Sequence, residues 1–161
     1  MNLEAKKMGL KMTHFANPHG LSNNLQKSTP AELGKMTAIT MQNPIFRKVC
    51  STRFYSCRPL NDEKYIYRWT NTHKMLDMSG YNGVKTGITP AAGPCLATSY
   101  QVKDTHLIII LLDSKTMEHR WNETAKLVAW CQSRLKRAKQ IFGIGQVGEE
   151  CEQLIRKIKN I

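Results

Sequence analysis

NGVKTG, at residues 82–87, opens the part of the sequence that decides the fold, a series of three apolar segments broken by turn-forming residues. Short segments of this kind, with Gly, Pro and Asp between them, are typical of an antiparallel β-meander. The third segment is apolar on both faces, so a helix is expected to cover it. The sequence therefore predicts an α+β fold in which helices pack on an antiparallel sheet. The three predicted strands span residues 84–89, 95–102 and 106–112.

Helices are predicted on the N-terminal side of these strands. Met1 to Met8 has helical spacing and is followed by Gly9, while Thr29, Pro30 and Glu32 form a capping box. Asn43-Pro44 repeats the arrangement of a cap followed by proline and predicts a second capped helix. The side chains expected to face inward are Leu33, Met36, Thr40 and Met41 in the first capped helix, and Ile45, Phe46 and Val49 in the second.

Aromatic residues predict a small hairpin between the helices and the meander. Phe54-Tyr55 and Tyr65 to Tyr67 favour strands, and Pro59 to Asp62 favours a turn between them. After the meander, an amphipathic stripe predicts a helix that docks on the sheet. We expect the indole rings of Trp69, Trp121 and Trp130 to fill the core. The stripe consists of Trp121, Ala125, Val128, Gln132 and Leu135.

The bulk composition limits the kinds of partner and compartment. The 161 residues carry 24 Lys and Arg against 12 Asp and Glu, a net charge of +12 that would draw the chain toward nucleic acid, an anionic membrane or an acidic protein surface. No nucleic-acid module accompanies this charge, so a nucleic-acid partner is not favoured. The longest strongly apolar stretch, Leu107 to Leu112, is far shorter than the roughly 20 residues of a membrane-spanning helix. The first ten residues lack the apolar core of a signal peptide.

The cysteines and histidines predict neither a metal nor a cofactor site. Five cysteines, an odd number without a C-x-x-C pair, are expected to be buried free thiols. This use of cysteine favours an intracellular compartment. His14 and His19 lie five residues apart in a polar loop, but no carboxylate or cysteine stands at ligand spacing from them, so loop packing is expected instead.

Lys85-Thr86-Gly87 is the motif that carries chemistry. A Lys-Thr-Gly box marks the edge strand beside the active serine in penicillin-binding proteins and class A β-lactamases. Around it, residues matching one family follow the same order along the chain to about Trp130. The sequence thereby resembles the serine-type D-alanyl-D-alanine carboxypeptidases, peptidase family S11. The matching residues are Met1-Asn2, Ala5, Met8-Gly9, Thr13-His14-Phe15, Asn17 to Leu21, Ser28-Thr29, Phe46-Arg47, Asn71-Thr72, Gly83 to Gly87, Ala92-Gly93, Cys95-Leu96 and Arg120.

The resemblance assigns a role in substrate binding to four residues. Lys85 and Thr86 would offer a positive charge and a hydroxyl to the terminal carboxylate of a peptide ending in D-Ala-D-Ala. Gly87 would keep the strand slim so that the substrate backbone can approach it. Ile88 would supply a backbone N–H to the oxyanion hole. The family reaction is acyl transfer through a serine ester.

The catalytic residues of the family are not found at matching positions in this chain. The only Ser-x-x-Lys, from Ser133 to Lys136, follows the Lys-Thr-Gly strand, whereas the family's nucleophile precedes it. Ser22-Asn23-Asn24 resembles the second box but also falls in the wrong order. We therefore predict no nucleophile or general-base lysine here, and an isolated chain that is inactive.

The resemblance also bears on domain organisation. Residues 1–139 are predicted to form a partial carboxypeptidase-like domain that lacks the family's first two strands and its nucleophile helix. Residues 140–161 are predicted to be a linker followed by an amphipathic helix, which either docks on a partner or folds back. One sheet edge should then be exposed, and a protein partner would cover it. The alternative functions are a non-catalytic, basic scaffold subunit and a nucleic-acid-binding protein; the family itself is usually exported.

Overall fold

The computed structural model describes residues 1–61, 64–103 and 105–137. The chain divides into two compact units, Met1–Thr124 and Ala125–Ile161. The predicted linker and C-terminal helix at 140–161, and with them Cys151 and the predicted boundary at 139, lie outside the described residues. Asp62 and Asp104 in the two predicted turns lie outside them too. In the described ranges, every helix is too short or too polar to cross a lipid bilayer.

Three helices precede the strands, and their starts follow from local sequence. They are α1 (Asn2–Lys7), α2 (Pro30–Thr40) and α3 (Pro44–Ser51). Both predicted caps are confirmed: the Thr29 hydroxyl accepts the Glu32 N–H at 3.2 Å, and the Asn43 side chain accepts the Ile45 N–H at 2.9 Å. The Glu32 carboxylate accepts from Met12 and Thr13 and not from the Thr29 N–H, so the reciprocal half of the capping box is replaced by contacts to the preceding loop. Each cap satisfies backbone donors that the first turn leaves without partners.

The orientation predicted for α3 is wrong. Ile45 and Val49 are 73% and 66% exposed, while Cys50 is buried and Phe46 is half-buried. The buried face of α3 packs against β3 (Tyr81–Thr89), where a Cβ added to Gly83 would lie 2.7 Å from the Cys50 carbonyl oxygen. A glycine in the strand thus lets the helix backbone come close, and this contact fixes which face of α3 turns inward. In α2, Met41 at the C-terminal end is buried, whereas the other predicted positions are half-buried.

The predicted hairpin forms from β1 (Phe54–Cys57) and β2 (Tyr67–Thr70), which pair in antiparallel fashion with Tyr55 opposite Trp69. The second strand lies further along the chain than predicted, because Tyr65 and Ile66 precede it and only Tyr67 belongs to it. All four residues of β2 are exposed. Trp69 is 50% exposed and stacks between Tyr55 and Tyr67, so the prediction that it fills the core is wrong. Trp130 is exposed as well, with the Arg134 guanidinium over its ring, whereas Trp121 is buried as predicted.

The predicted meander is confirmed as a three-stranded antiparallel sheet in the order β3-β4-β5. β4 spans Gly93–Val102 and β5 spans Thr105–Leu111. β3 starts three residues earlier than predicted and contains a register shift between Tyr81 and Val84. Helix α2 packs against β5, so the strand that is apolar on both faces is covered by a helix that precedes the sheet in the chain. Thr98 and Ser99 of β4 are fully buried.

The loop before α2 is held by polar contacts within itself, to α2 and to the end of β3. The His14 and Lys27 backbones form a β-bridge, and Glu32 accepts the Met12 N–H at 2.9 Å. The Ser22 hydroxyl donates to Thr89 Oγ1 at the end of β3, 2.7 Å away. Because the loop is fixed at both places, it borders the strand that carries the Lys-Thr-Gly motif.

A further helix begins at residue 117 and continues to at least residue 137. In the first unit its opening turns contribute Arg120, Trp121 and Thr124, all buried. The remaining members of the predicted stripe, from Ala125 onward, belong to the second unit, so docking of the whole stripe on the sheet stays a prediction. In the described part of the chain Cys50, Cys57, Cys95 and Cys131 are free thiols, but only Cys50 is buried.

Candidate functional site

The Lys-Thr-Gly motif lies on an outer strand of the sheet, and the prediction that residues 84–89 form a strand is confirmed. Lys85 pairs with Ala97 and Thr86 pairs with Leu96 of β4. Among the described residues no strand pairs with the other edge of β3. The motif is therefore supported from one side by β4 and is accessible along the opposite edge, which an extended peptide could approach.

The four predicted binding residues lie in a row, and their exposure suits a binding strand. Lys85, Gly87 and Ile88 are exposed and Thr86 is half-buried. The Lys85 ammonium donates to the carbonyl oxygen of its neighbour Thr86. No atom lies within 4 Å of the position that a Cβ on Gly87 would occupy, so a ligand backbone has room to approach there.

A short segment after β2, residues 71–73, connects this strand to its surroundings. The Asn71 amide donates to two carbonyl oxygens at the end of α3, those of Cys50 and Thr52, both at 3.0 Å. The Asn71 side-chain oxygen accepts the backbone N–H of His73 at 2.9 Å. One asparagine thus fixes both the position of the segment relative to α3 and the turn that follows.

The other two residues of segment 71–73 reach the sheet. The Thr72 hydroxyl lies 2.7 Å from the Thr86 hydroxyl on β3. His73 Nε2 lies 3.1 Å from the Thr98 hydroxyl on β4. Three consecutive side chains therefore contact α3, β3 and β4 in turn. In the sequence, Asn71-Thr72 stands out only as a match to the family, because nothing local identifies such distant partners.

His73 is neutral over a wide range of pH. Only 2% of the residue is exposed, and burial lowers the pKa of the imidazole to about 4, with the nearby positive charge of Arg120 acting in the same direction. The Trp121 ring packs edge-on against the imidazole, with 5.3 Å between the centroids. An imidazole with these neighbours is suited to support the sheet, and its low pKa makes it a poor base at neutral pH.

Arg120 is a buried residue that contacts the backbone of the motif strand. It is 3% exposed, and its Nη1 donates to the carbonyl oxygens of Gly87 at 3.2 Å and Cys95 at 3.1 Å, which bridges β3 and β4 where these two residues pair. Its guanidinium carbon lies 4.7 Å from the centre of the Trp121 ring. No described carboxylate forms an ion pair with Arg120. A second positive charge therefore lies beside Gly87 without a counter-ion from the described residues.

The residues considered for other roles lie elsewhere. Ser133 bonds to the Trp130 carbonyl oxygen one turn earlier in its own helix, and Ser22 bonds to Thr89, beyond Ile88 on β3. His14 Nδ1 lies 3.0 Å from the Leu25 carbonyl oxygen, a contact within the loop. Over residues 1–61, 64–103 and 105–137, no group of three or more His, Cys, Asp or Glu side chains could hold a metal ion. The site is thus an open strand edge that carries the exposed Lys85 ammonium and the Thr86 hydroxyl, with the buried Arg120 guanidinium on the carbonyl oxygen of Gly87.

Comparison with known proteins shows which family the chain resembles. The peptidase S11 profile, described as D-alanyl-D-alanine carboxypeptidase, matches residues 1–116. The D-alanyl-D-alanine carboxypeptidase of Streptomyces sp. strain K15 is 33% identical over 132 residues, which are 80% of this chain and 45% of that relative. The D-alanyl-D-alanine endopeptidase of Escherichia coli is 26% identical, over 83% of this chain and 43% of its own length.

Solved structures agree with the sequence comparison. The crystal structure of the Streptomyces K15 DD-transpeptidase superimposes with a TM-score of 0.75 and 32% identity, covering 80% of this chain and 51% of that one. Penicillin-binding protein D2 of Listeria monocytogenes, in its cefotaxime-bound form, gives a TM-score of 0.67 at 26% identity. This chain spans about half the length of these relatives. The order of the matching residues, the edge strand that carries Lys-Thr-Gly and the shared fold lead to one conclusion: the chain belongs to the peptidase S11 family of D-alanyl-D-alanine carboxypeptidases.

Proposed function

We propose that β3 is the substrate-binding strand of a D-alanyl-D-alanine peptidase site. The observation that carries this proposal is the accessible edge of β3 at Lys85 and Thr86, with the buried Arg120 guanidinium behind Gly87. A carboxylate is an acceptor only, and it binds most strongly where charged and hydroxyl donors converge. The terminal carboxylate of a peptide ending in D-Ala-D-Ala has this chemistry.

Each residue of the strand has a part in the proposed binding. The Lys85 ammonium and the Thr86 hydroxyl donate to the carboxylate, which draws the Lys85 ammonium away from the Thr86 carbonyl oxygen. Gly87 leaves room for the substrate backbone, since a side chain at that position would project into the open space beside the strand. The backbone N–H of Ile88 is the donor for the oxygen that becomes negative in acyl transfer.

We further propose that the 161-residue chain by itself binds such a peptide without hydrolysing it. Acyl transfer in this family requires a serine with a lysine one helical turn later. The only Ser-x-x-Lys in the sequence is Ser133 to Lys136, and the Ser133 hydroxyl is bonded to the Trp130 carbonyl oxygen. Activity would need a serine supplied from outside these 161 residues.

A titration tests the binding proposal. An N-acetylated tripeptide ending in D-Ala-D-Ala, added to the ¹⁵N-labelled chain, should shift the amide signals of residues 85–88 in a saturable way. Lys85→Gln should weaken binding about tenfold or more, since a hydrogen bond to a charged group contributes about 1.5–3 kcal/mol. The matched control, Lys48→Gln, removes an exposed lysine of α3 that is not part of the motif and should change little. Equal affinity in both variants would refute the proposal.

The inactivity proposal has its own test. Fluorescent penicillin forms a stable ester with an accessible active serine, so a denaturing gel reports acylation directly. The isolated chain should remain unlabelled at concentrations that label a complete penicillin-binding protein in the same tube. A labelled band at 18.4 kDa would show that a serine in this chain is competent and that the inactivity proposal is wrong.

The outer edge of β5 supports a second proposal, a non-catalytic subunit covered by a protein partner. Residues 107–111 of this strand are all Leu or Ile, and β5 is the last strand of the sheet among the described residues. An unpaired apolar edge readily pairs with another strand. Light scattering after gel filtration should therefore show self-association of the isolated chain, which a charged substitution such as Ile108→Lys reduces. A stable monomer at high concentration would count against this second proposal.

A further inference from the structure

We infer that Thr72 is a specificity-determining residue, whose hydroxyl donates to Thr86 and thereby directs the Thr86 proton toward a ligand carboxylate. The inference rests on the proposed function, because it concerns how that site tells a free carboxylate from a carboxamide. It starts from the contact between the two hydroxyl oxygens, 2.7 Å apart.

The position of Thr72 is determined by its neighbours. Asn71 is bonded to the end of α3 and His73 to β4, so the residue between them has little freedom to move away from β3. Thr86 belongs to the paired part of β3, opposite Leu96. Both hydroxyls are therefore attached to backbone that is fixed by other contacts, and their short separation is a stable feature of the site.

Each of the two hydroxyls has one proton. One of these protons forms the hydrogen bond between them, and the other can be donated to a ligand. Either Thr86 donates to Thr72, or Thr72 donates to Thr86 and leaves the Thr86 proton free. A carboxylate has no proton to give, so it selects the second arrangement. In that arrangement the Thr72 proton polarises the Thr86 hydroxyl, which strengthens the bond that Thr86 makes to the negative charge.

A carboxamide gains less from the same arrangement. Its oxygen accepts a hydrogen bond without a charge, and charge-assisted bonds are roughly twice as strong as neutral ones. Loss of the Thr72 hydroxyl should thus weaken binding of the acid more than binding of the amide. Thr72 is exposed, so water can partly replace its hydroxyl, and the expected change is about three- to tenfold, as for one hydrogen bond.

The experiment compares two ligands on one set of variants. The ligands are the N-acetylated D-Ala-D-Ala tripeptide and its C-terminal amide, and the dissociation constant of each is measured by the amide shifts of β3. Thr72→Val keeps the shape of the side chain and removes the hydroxyl, and it should lower the preference for the acid about three- to tenfold. Thr72→Ser should restore the preference. Thr72→Val combined with Thr86→Val should show no further loss beyond Thr86→Val alone.

The outcomes separate this inference from the proposed function. If the wild-type chain binds neither ligand, or binds both equally, the proposed function fails and the inference fails with it. If the wild-type chain prefers the acid and Thr72→Val keeps that preference, the inference alone is overturned. An equal loss of affinity for both ligands, with a lower urea midpoint, would assign Thr72 a purely structural role and would also overturn it. Should Thr72→Val fail to fold, Thr72→Ala provides the same comparison.

Discussion

The two sheets of the molecule differ in which side chains they bury: the larger sheet buries polar residues, and the hairpin leaves aromatic rings exposed. In the β3-β4-β5 sheet, the polar residues Thr98 and Ser99 are fully buried, and each is within hydrogen-bonding distance of a histidine ring. In the β1-β2 hairpin, the large rings of Phe54, Tyr55 and Trp69 are exposed. The residue type alone therefore does not decide what is buried here; the elements that cover each sheet decide it.

The exposed aromatic rings of the hairpin stack on one another. The Tyr55 and Trp69 rings, opposite each other in the two strands, have centroids 5.9 Å apart, and Tyr67 lies 5.6 Å from Trp69 on the other side. Aromatic pairs across strands stabilise a hairpin by about 0.2–1 kcal/mol each without a core. The larger sheet is held instead by α2, α3 and Arg120, each of which contacts a strand directly.

The largest expected effect comes from Trp121→Ala, and Trp69→Ala in the hairpin is the comparison. Trp121 is buried against His73 and Arg120, so Trp121→Ala should lower the free energy of unfolding by about 3–5 kcal/mol. Trp69 is half-exposed in the hairpin, and Trp69→Ala should cost about 1 kcal/mol, mainly from the lost stacking. Urea unfolding followed by far-UV circular dichroism measures both.

The contrast between the two sheets depends on this difference. Costs of similar size would mean that the hairpin is packed as tightly as the larger sheet. Should Trp121→Ala fail to fold at all, Trp121→Phe provides the comparison, since it should still unfold at lower urea than Trp69→Phe. Equal slopes of the unfolding transitions in urea would support reading the midpoints as stability.

The same contrast marks the limit of what the sequence could predict. The helix starts at Thr29 and Asn43 were predicted correctly, because a cap is a local pattern of a polar residue and a proline. The meander was predicted from turn formers for the same reason. The exposed faces of α3 and of Trp69 were predicted wrongly, because an apolar stripe indicates which residues share a face and not which neighbour covers it.

In the candidate site, too, the local motif could be predicted from the sequence and the long-range contacts could not. The Lys-Thr-Gly strand could be found from the sequence, because Lys85 to Gly87 are consecutive and their motif is specific. Their support by Thr72 and Arg120 joins residues 14 and 33 positions apart, and no local signal predicts such hydrogen bonds. The one clue was that Asn71-Thr72 and Arg120 match the family pattern, and this gave no partner for either.

A smaller effect is expected from pH, because the larger sheet buries the His73 imidazole. The pKa of His73 is about 4 in the folded protein against an ordinary value of 6.5, because burial and the Arg120 charge oppose protonation. The unfolded chain therefore binds more protons between these values, so the contribution of His73 to stability is complete above about pH 6.5 and falls as the pH drops toward 4, by up to about 3 kcal/mol.

Urea midpoints between pH 7.5 and 4 should show this loss, and His73→Gln should reduce the pH dependence whatever the stability of the variant at pH 7.5. His106→Gln, which changes an exposed histidine on β5, is the matched control. An unchanged slope in His73→Gln would show that folding does not lower the pKa of this imidazole, and that the larger sheet does not hold its polar groups in the neutral, buried state that distinguishes it from the hairpin.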